Sequence, residues 1–149
     1  MKPIHILLVE DNEGDILLTI EAFAEAKVTN NISVVKDGKE AIDFLNQVGI
    51  YSTSELPDLI LLDINLPKQN GHEVLQIIKN SETLKSIPVI ILTTSSSEMD
   101  VLKAYKNYAN CYITKPIDVL DFMNVIAQIE GFWISIVKLP SITKSKYHK

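Results

Sequence analysis

Leu59-Ile60-Leu61-Leu62-Asp63 is the stretch from which the fold is read: four branched aliphatic residues in a row, halted by a carboxylate. Four residues are too few for a helix, and a run without polar alternation describes a strand buried on both faces. Two further runs repeat the pattern. Ile6-Leu7-Leu8-Val9 stops at Glu10-Asp11, and Val89-Ile90-Ile91-Leu92 stops at Thr93-Thr94. Weaker strands are expected over residues 32–35, closed by Asp37-Gly38, and over 111–113, closed by Thr114-Lys115-Pro116. Apolar residues return at helical spacing between these runs: Ile16, Ile20, Phe23 and Ala24, then Ala41, Ile42 and Leu45, then Val74, Leu75, Ile77 and Ile78. Met99, Leu102 and Tyr105 make a fourth stripe; Val119, Phe122, Met123 and Ile126 make a fifth, after the N-cap residue Asp118. Residues 47–57 read as a surface loop.

Strand and helix thus alternate five times, the pattern of an α/β domain with helices on both faces of a parallel sheet. Right-handed crossovers leave few topologies, and the doubly wound, flavodoxin-like order 2-1-3-4-5 with five helices is expected. The fifth helix should end near Ile129, or about a turn later if it runs through Gly131. The expected division is a domain over residues 1–130 and an extension over 131–149. That extension holds an apolar cluster (Phe132, Trp133, Ile134, Ile136, Val137, Leu139) and then a basic, solvated, mobile end from Lys144. The cluster either packs on the last helix or forms a subunit contact.

Composition narrows the function. A chain of 149 residues with 46% hydrophobic and 22% charged residues is ordinary for one globular domain. All 14 basic residues are lysines, and against 19 acids they leave a net charge of −5. That balance opposes binding to a phosphate backbone, and no arginine exists to read guanine. Nucleic acid is not an expected partner. Cys111 is the only cysteine, which fits a reducing cytosol. No apolar run exceeds four residues, far from the roughly 20 of a membrane span, and the start lacks a secretory apolar stretch. A cytoplasmic protein is expected.

In an open α/β sheet, ligands bind beyond the carboxyl ends of the strands. Glu10, Asp11, Asp63, Thr93 and Lys115 stand at those ends. Each has an ordinary reading by itself: a helix cap, a turn former, a capping hydroxyl, a surface charge. Their shared position on one rim argues for a site. Carboxylates about 4 Å apart repel by about 4 kcal/mol at an effective dielectric of 20, and a hard divalent cation relieves that repulsion.

The motifs Leu8-Val9-Glu10-Asp11-Asn12, Leu61-Leu62-Asp63-Ile64-Asn65-Leu66-Pro67 with Gly71 eight residues after Asp63, Leu92-Thr93-Thr94 and Tyr112-Ile113-Thr114-Lys115-Pro116 resemble the response regulator receiver domain. The resemblance runs over residues 4–129. The stretches from Leu84 to Ser95 and from Asn110 to Lys115, with the ending from Glu130 to Pro140, are more narrowly similar to single-domain regulators paired with bacterial and cyanobacterial phytochrome histidine kinases. The resemblance implies that Asp63 accepts a phosphoryl group from the phosphohistidine of such a kinase. It implies that Glu10, Asp11, Asp63 and the Asn65 backbone carbonyl hold Mg²⁺ (or Mn²⁺), and that Lys115 neutralises the phosphoryl oxygens. Thr93 and Tyr112 are implied as the switch: the hydroxyl turns to the phosphoryl group and the ring, two strands' breadth away, turns inward. The protein is then no turnover enzyme but a phosphoacceptor that assists its own phosphorylation and hydrolysis, signalling to an unknown downstream protein without an attached output domain. A homodimer through the fourth helix, fifth strand and fifth helix is also implied. Two departures stand out. Glu10 is a methylene longer than the usual aspartate and fits a water-mediated contact, and Thr94 narrows a position that is usually small.

Two competitors share parts of this pattern. A flavodoxin-type carrier wants hydroxyls and glycines in the first strand-to-helix loop, where Glu10-Asp11-Asn12-Glu13-Gly14-Asp15 carries four acids. A haloacid-dehalogenase-type phosphatase needs a general-acid aspartate two residues after its nucleophile, where this chain has Asn65.

Overall fold

A computed structural model describes residues 3–25 and 29–140. Its five strands, β1 (Ile4–Val9), β2 (Asn30–Val35), β3 (Leu59–Leu62), β4 (Val89–Thr93) and β5 (Cys111–Thr114), are all parallel and lie in the order 2-1-3-4-5. Five helices connect and follow them: α1 (Glu13–Ala24), α2 (Gly38–Leu45), α3 (Gly71–Lys79), α4 (Glu98–Lys106) and α5 (Val119–Ile129). The expected fold class therefore holds. β1 and β2 begin two residues earlier than the apolar runs, where Ile4 pairs with Asn30 and His5 with Asn31; the His5 N–H donates to Asp58 and its ring reaches the Ser33 hydroxyl at 2.8 Å.

Each helix starts where a short polar side chain can take an orphan amide. Asn12, Asp37, Asn70, Ser97 and Asp118 each accept from the backbone N–H three residues on. Asn70 and Glu73 complete a reciprocal capping box.

The two-residue period of the strands divides the core. Leu7, Val9, Ile60, Leu62, Val89 and Ile91 face α2, α3 and α4, whereas Ile6, Leu8, Leu59, Leu61, Ile90 and Leu92 face α1 and α5. Two helical stripes differ from expectation. On α1, Ile16, Thr19 and Phe23 turn inward while Ile20 and Ala24 stay exposed. Thr19 can be buried because its hydroxyl donates to the Asp15 carbonyl of its own helix at 2.7 Å. On α4, Ala104 is buried and Val101 half-buried, so contact runs one position round from Met99, Leu102 and Tyr105, which are exposed.

Residues 47–57 include a 3₁₀ turn (Gly49–Tyr51) whose Tyr51 ring packs on Phe44. After α5 the chain continues through Gly131 in a π-helical turn (Glu130–Ile134). The apolar extension splits there. Ile134 is buried and Trp133 and Leu139 pack on the α1–α5 side of the core, but Phe132 and Ile136 remain exposed. The basic end from Lys144 lies outside the described residues. Among the described residues no helix is long and apolar enough to cross a membrane.

Candidate functional site

Strand parity places the site. Leu8 pairs with Leu61 and Val9 with Leu62, so one step further Glu10 adjoins Asp63, and the Asp63 N–H donates to the Val9 carbonyl at 3.1 Å. Glu10 and Asp63 share the parity of the α1–α5 face, as does Lys115 after Cys111 and Ile113. Thr93 and Tyr112 have the opposite parity and belong to the α4 side. The sheet therefore separates a charged group from a hydroxyl–aromatic pair by one residue of register.

The loop after β3 is held tightly. The Gly71 N–H returns to the Ile64 carbonyl at 2.8 Å, and a Cβ at Gly71 would lie 2.2 Å from the Asp63 carbonyl oxygen. Only glycine lets the start of α3 approach the Asp63 backbone so closely.

Lys115 is the hub of the charged group. Its Nζ donates to Glu10 Oε2, to Asp63 Oδ2 at 3.1 Å and to Asp15 Oδ2 at 3.0 Å. The other oxygens of the two buried acids face backbone donors: Glu10 Oε1 accepts from the Asn12 N–H and Asp63 Oδ1 from the Asn65 N–H, each at 3.1 Å. Burial alone would lower the Lys115 pKa, but the hydrogen bond to Glu10 and the charge of Asp63 more than reverse it, so the ammonium is held above its ordinary range. Burial raises the Glu10 carboxyl, aided by the neighbouring Asp63 charge and opposed by Lys115. Both partners shift upward, Glu10 chiefly through burial and Lys115 through the carboxylates that share its ammonium. The lysine stays charged and the acids remain crowded.

The chemistry of the donor set suits a hard cation. Glu10, Asp11 and Asp63 each offer a carboxylate oxygen, all within 4.8 Å of one another. Octahedral Mg²⁺ with bonds of about 2.1 Å would want those oxygens about 3–4 Å apart, with waters completing the shell. A small contraction suffices. Asp11 is exposed, whereas Glu10 and Asp63 each already have both oxygens engaged.

Of the residues singled out from the sequence, Glu10, Asp11, Asp63 and Lys115 come together, and Asn65 joins them through its N–H. Thr93 is fully buried; its Oγ1 accepts from the Ser95 N–H at 3.4 Å. Tyr112 lies on the strand next to Thr93, not two strands' breadth away, and its hydroxyl donates to the Ser95 carbonyl at 2.8 Å. Thr94 is exposed. Asp15 joins the group as well, through its bond from Lys115. Its only sequence signal was membership of the acidic loop, which serves equally well as a helix first turn.

Fold and site together define a class of protein: doubly wound α/β domains that gather a carboxylate nest and one lysine at the carboxyl rim of the sheet. The chain belongs to the response regulator receiver domain family, whose model matches residues 6–127, and this separates it from flavodoxin-type carriers and haloacid-dehalogenase-type phosphatases. Response regulator Rcp1 of Synechocystis sp. is 44% identical over 139 residues, covering 93% of this chain and 95% of Rcp1. The crystal structure of the phosphorylated cyanobacterial phytochrome response regulator RcpA superposes with a TM-score of 0.92 at 46% identity, covering 94% of this chain and 100% of that one. The structure of Rcp1 with Mn²⁺ bound matches with a TM-score of 0.92 at 44% identity, covering 93% and 100%. This chain is a two-component response regulator receiver of the kind represented by these phytochrome response regulators.

Proposed function

We propose that Asp63 accepts a phosphoryl group from the phosphohistidine of a histidine kinase of the phytochrome type. An Asp63 carboxylate oxygen attacks phosphorus. The O–P bond forms, the P–N bond breaks, and the electron pair returns to the imidazole of the kinase. Phosphoryl transfer needs mainly positioning and charge neutralisation. The single observation that carries this reading is the environment of Asp63: one oxygen on the Lys115 ammonium, the other on the Asn65 N–H, beside the oxygens of Glu10 and Asp11. Asp11, Asp63, the Asn65 carbonyl and Glu10 would hold Mg²⁺ (or Mn²⁺), which would supply the second positive charge to the phosphoryl oxygens. The Mn²⁺-bound relative supports a divalent ion of this kind.

In this reading Thr93 and Tyr112 report the phosphoryl group to the α4 face, and the same site hydrolyses its own aspartyl phosphate. Residues 1–130 are the receiver and 131–149 an extension. The output is a surface of α4, β5 and α5 that pairs with a second copy and with a downstream protein in the cytoplasm. The phytochrome-type kinase rests on the two relatives of 44–46% identity. Incubation with acetyl phosphate and Mg²⁺ should give one hydroxylamine-sensitive phosphate per chain, absent from Asp63→Asn. Full labelling of that variant would remove Asp63 from the role.

A further inference from the structure

On the α4 side of the sheet a second polar chain runs from α3 to β5. His72, in the first turn of α3, is buried, and its Nε2 lies 3.0 Å from Asp100 Oδ1 in the first turn of α4. The Ser95 hydroxyl donates to Asp100 Oδ2 at 2.5 Å. Ser95 then reaches both members of the proposed switch: its N–H donates to Thr93 Oγ1 at 3.4 Å, and its carbonyl accepts from the Tyr112 hydroxyl at 2.8 Å. Because the Asp100 carboxylate only accepts, the His72 nitrogen that faces it, Nε2, is the donor in this contact, while Nδ1 has no partner among the described residues.

We infer that His72 is a positioning residue for Tyr112: through Asp100 and Ser95 it holds the β4–α4 loop so that the Ser95 carbonyl meets the Tyr112 hydroxyl, biasing the ring inward before any phosphoryl group arrives. The inference rests on the reading of Thr93 and Tyr112 as a switch. Ser95 lies between β4 and the α4 N-cap, and Asp100 is what ties its side chain to the body of the domain. Asp100 in turn is partly exposed, with 32% of its side chain accessible, so the buried imidazole is the fixed end of the chain. The hydrogen bonds from Ser95 and His72 hold the Asp100 carboxyl below its ordinary range, in line with a carboxylate that anchors both. Removing the imidazole frees Asp100 to turn to water, and Ser95 loses its anchor. Because apparent ligand affinity scales with the fraction already in the competent state, such a tie also sets how readily the site responds to phosphorylation.

The test uses the full chain, unphosphorylated and metal-free, with tyrosine-labelled protein and Tyr112→Phe to assign the signal. NOEs between the Tyr112 ring and Ser95 report the inward ring. His72→Leu should lower the inward-to-outward ratio about fivefold, the worth of one net hydrogen bond. His72→Gln, which returns an N–H donor to Asp100, should restore most of it. Ser95→Ala breaks the chain in the loop rather than in the core and should reproduce the loss if His72→Leu folds poorly. An unchanged ratio in His72→Leu or Ser95→Ala overturns the inference, and so does equal loss in His72→Leu and His72→Gln, which would mean that the imidazole only fills space. Failure of the phosphoacceptor reading shows elsewhere, as hydroxylamine-sensitive label persisting in Asp63→Asn.

Discussion

The Lys115 ammonium and the Glu10 carboxylate form a buried ion pair across 105 positions of sequence, each side chain only 3% exposed. Asp63 and Asp15 share the same ammonium. A lysine so placed cannot be lost cheaply, since it compensates more than one buried negative charge. Lys115→Met should destabilise the metal-free protein by on the order of 3 kcal/mol, the usual cost of breaking a buried pair from one side. Proton uptake by Glu10, whose carboxyl is already raised by burial, keeps the loss from growing further. Urea unfolding with chelator and then with Mg²⁺ checks this: the deficit should shrink when the divalent ion is present, as a second cation reaches the same acids.

Asp11 offers the complementary case. It is exposed and belongs to the acidic triad. Asp11→Ala should stabilise the metal-free protein modestly, because it removes one carboxylate from the crowded acidic group. Its affinity for Mg²⁺ or Mn²⁺ should fall at least about tenfold, one direct carboxylate being worth more than about 1.4 kcal/mol. A metal titration followed by Trp133 fluorescence or calorimetry reads the difference.

Gly71→Ala tests the packing that sets Asp63. An alanine at a helix start gains about 1 kcal/mol at most in propensity. The added Cβ would stand 2.2 Å from the Asp63 carbonyl oxygen and 2.6 Å from Ile64 Cα, both backbone atoms that cannot step aside alone. Overpacking costs about 1–3 kcal/mol. The expected outcome is a net loss of stability by denaturant unfolding, together with slower phosphorylation, because the loop that moves carries Asp63 and Asn65.

Which parts of this architecture could be read in advance follows from how local each signal is. The run from Leu59 to Leu62 matches β3 residue for residue, and Glu10, Asp11, Asp63, Thr93 and Lys115 were legible as the polar stops of strands. Strand parity then does the rest, without any side-chain detail. Asp15 was hidden because its contact with Lys115 depends on how α1 leaves the sheet. His72 and Asp100 lie 28 residues apart on two helices, and no periodicity links them. The α4 stripe was misplaced for a related reason: periodicity shows that a helix has an apolar side but not which stripe the neighbours leave room for. Ala104, small enough to lie close on the sheet, took that place.

The Asp100 carboxyl gives a pH dependence with a definite sign. Hydrogen bonds from Ser95 and then His72 hold its folded pKa below the ordinary value of 3.8. The unfolded chain therefore binds the proton first as pH falls. The stabilisation is fully present above about pH 4 and lost as pH falls through the depressed folded value. Asp100→Asn should flatten the stability profile below about pH 4 relative to the native chain while leaving its slope near neutrality unchanged. Thermal melts across that range would show it.

The face proposed for pairing lies around the open edge of β5. Leu102 on α4 and Leu120 on α5 are 59% and 74% exposed, with Met99, Tyr105 and Val119 also exposed on the same helices. On β5 itself, the Tyr112 N–H donates to the Tyr105 hydroxyl, which satisfies an edge group that would otherwise invite another strand. Side-chain packing rather than sheet extension is thus the expected mode. Phe132 and Ile136 form the rival surface, beside Asn124, Ala127 and Gln128. Truncation before the π-helical turn would not discriminate between them, since it removes the buried Ile134. Point charges do. Leu102→Glu and Leu120→Glu should each weaken self-association about 30-fold or more, the effect of losing a residue worth about 2 kcal/mol at an interface. Phe132→Glu should leave it unchanged, and all three should unfold near the native midpoint because the side chains are exposed in the monomer. Sedimentation equilibrium decides: a dimer that dissociates with Phe132→Glu and survives the two leucine changes would assign the contact to the extension instead.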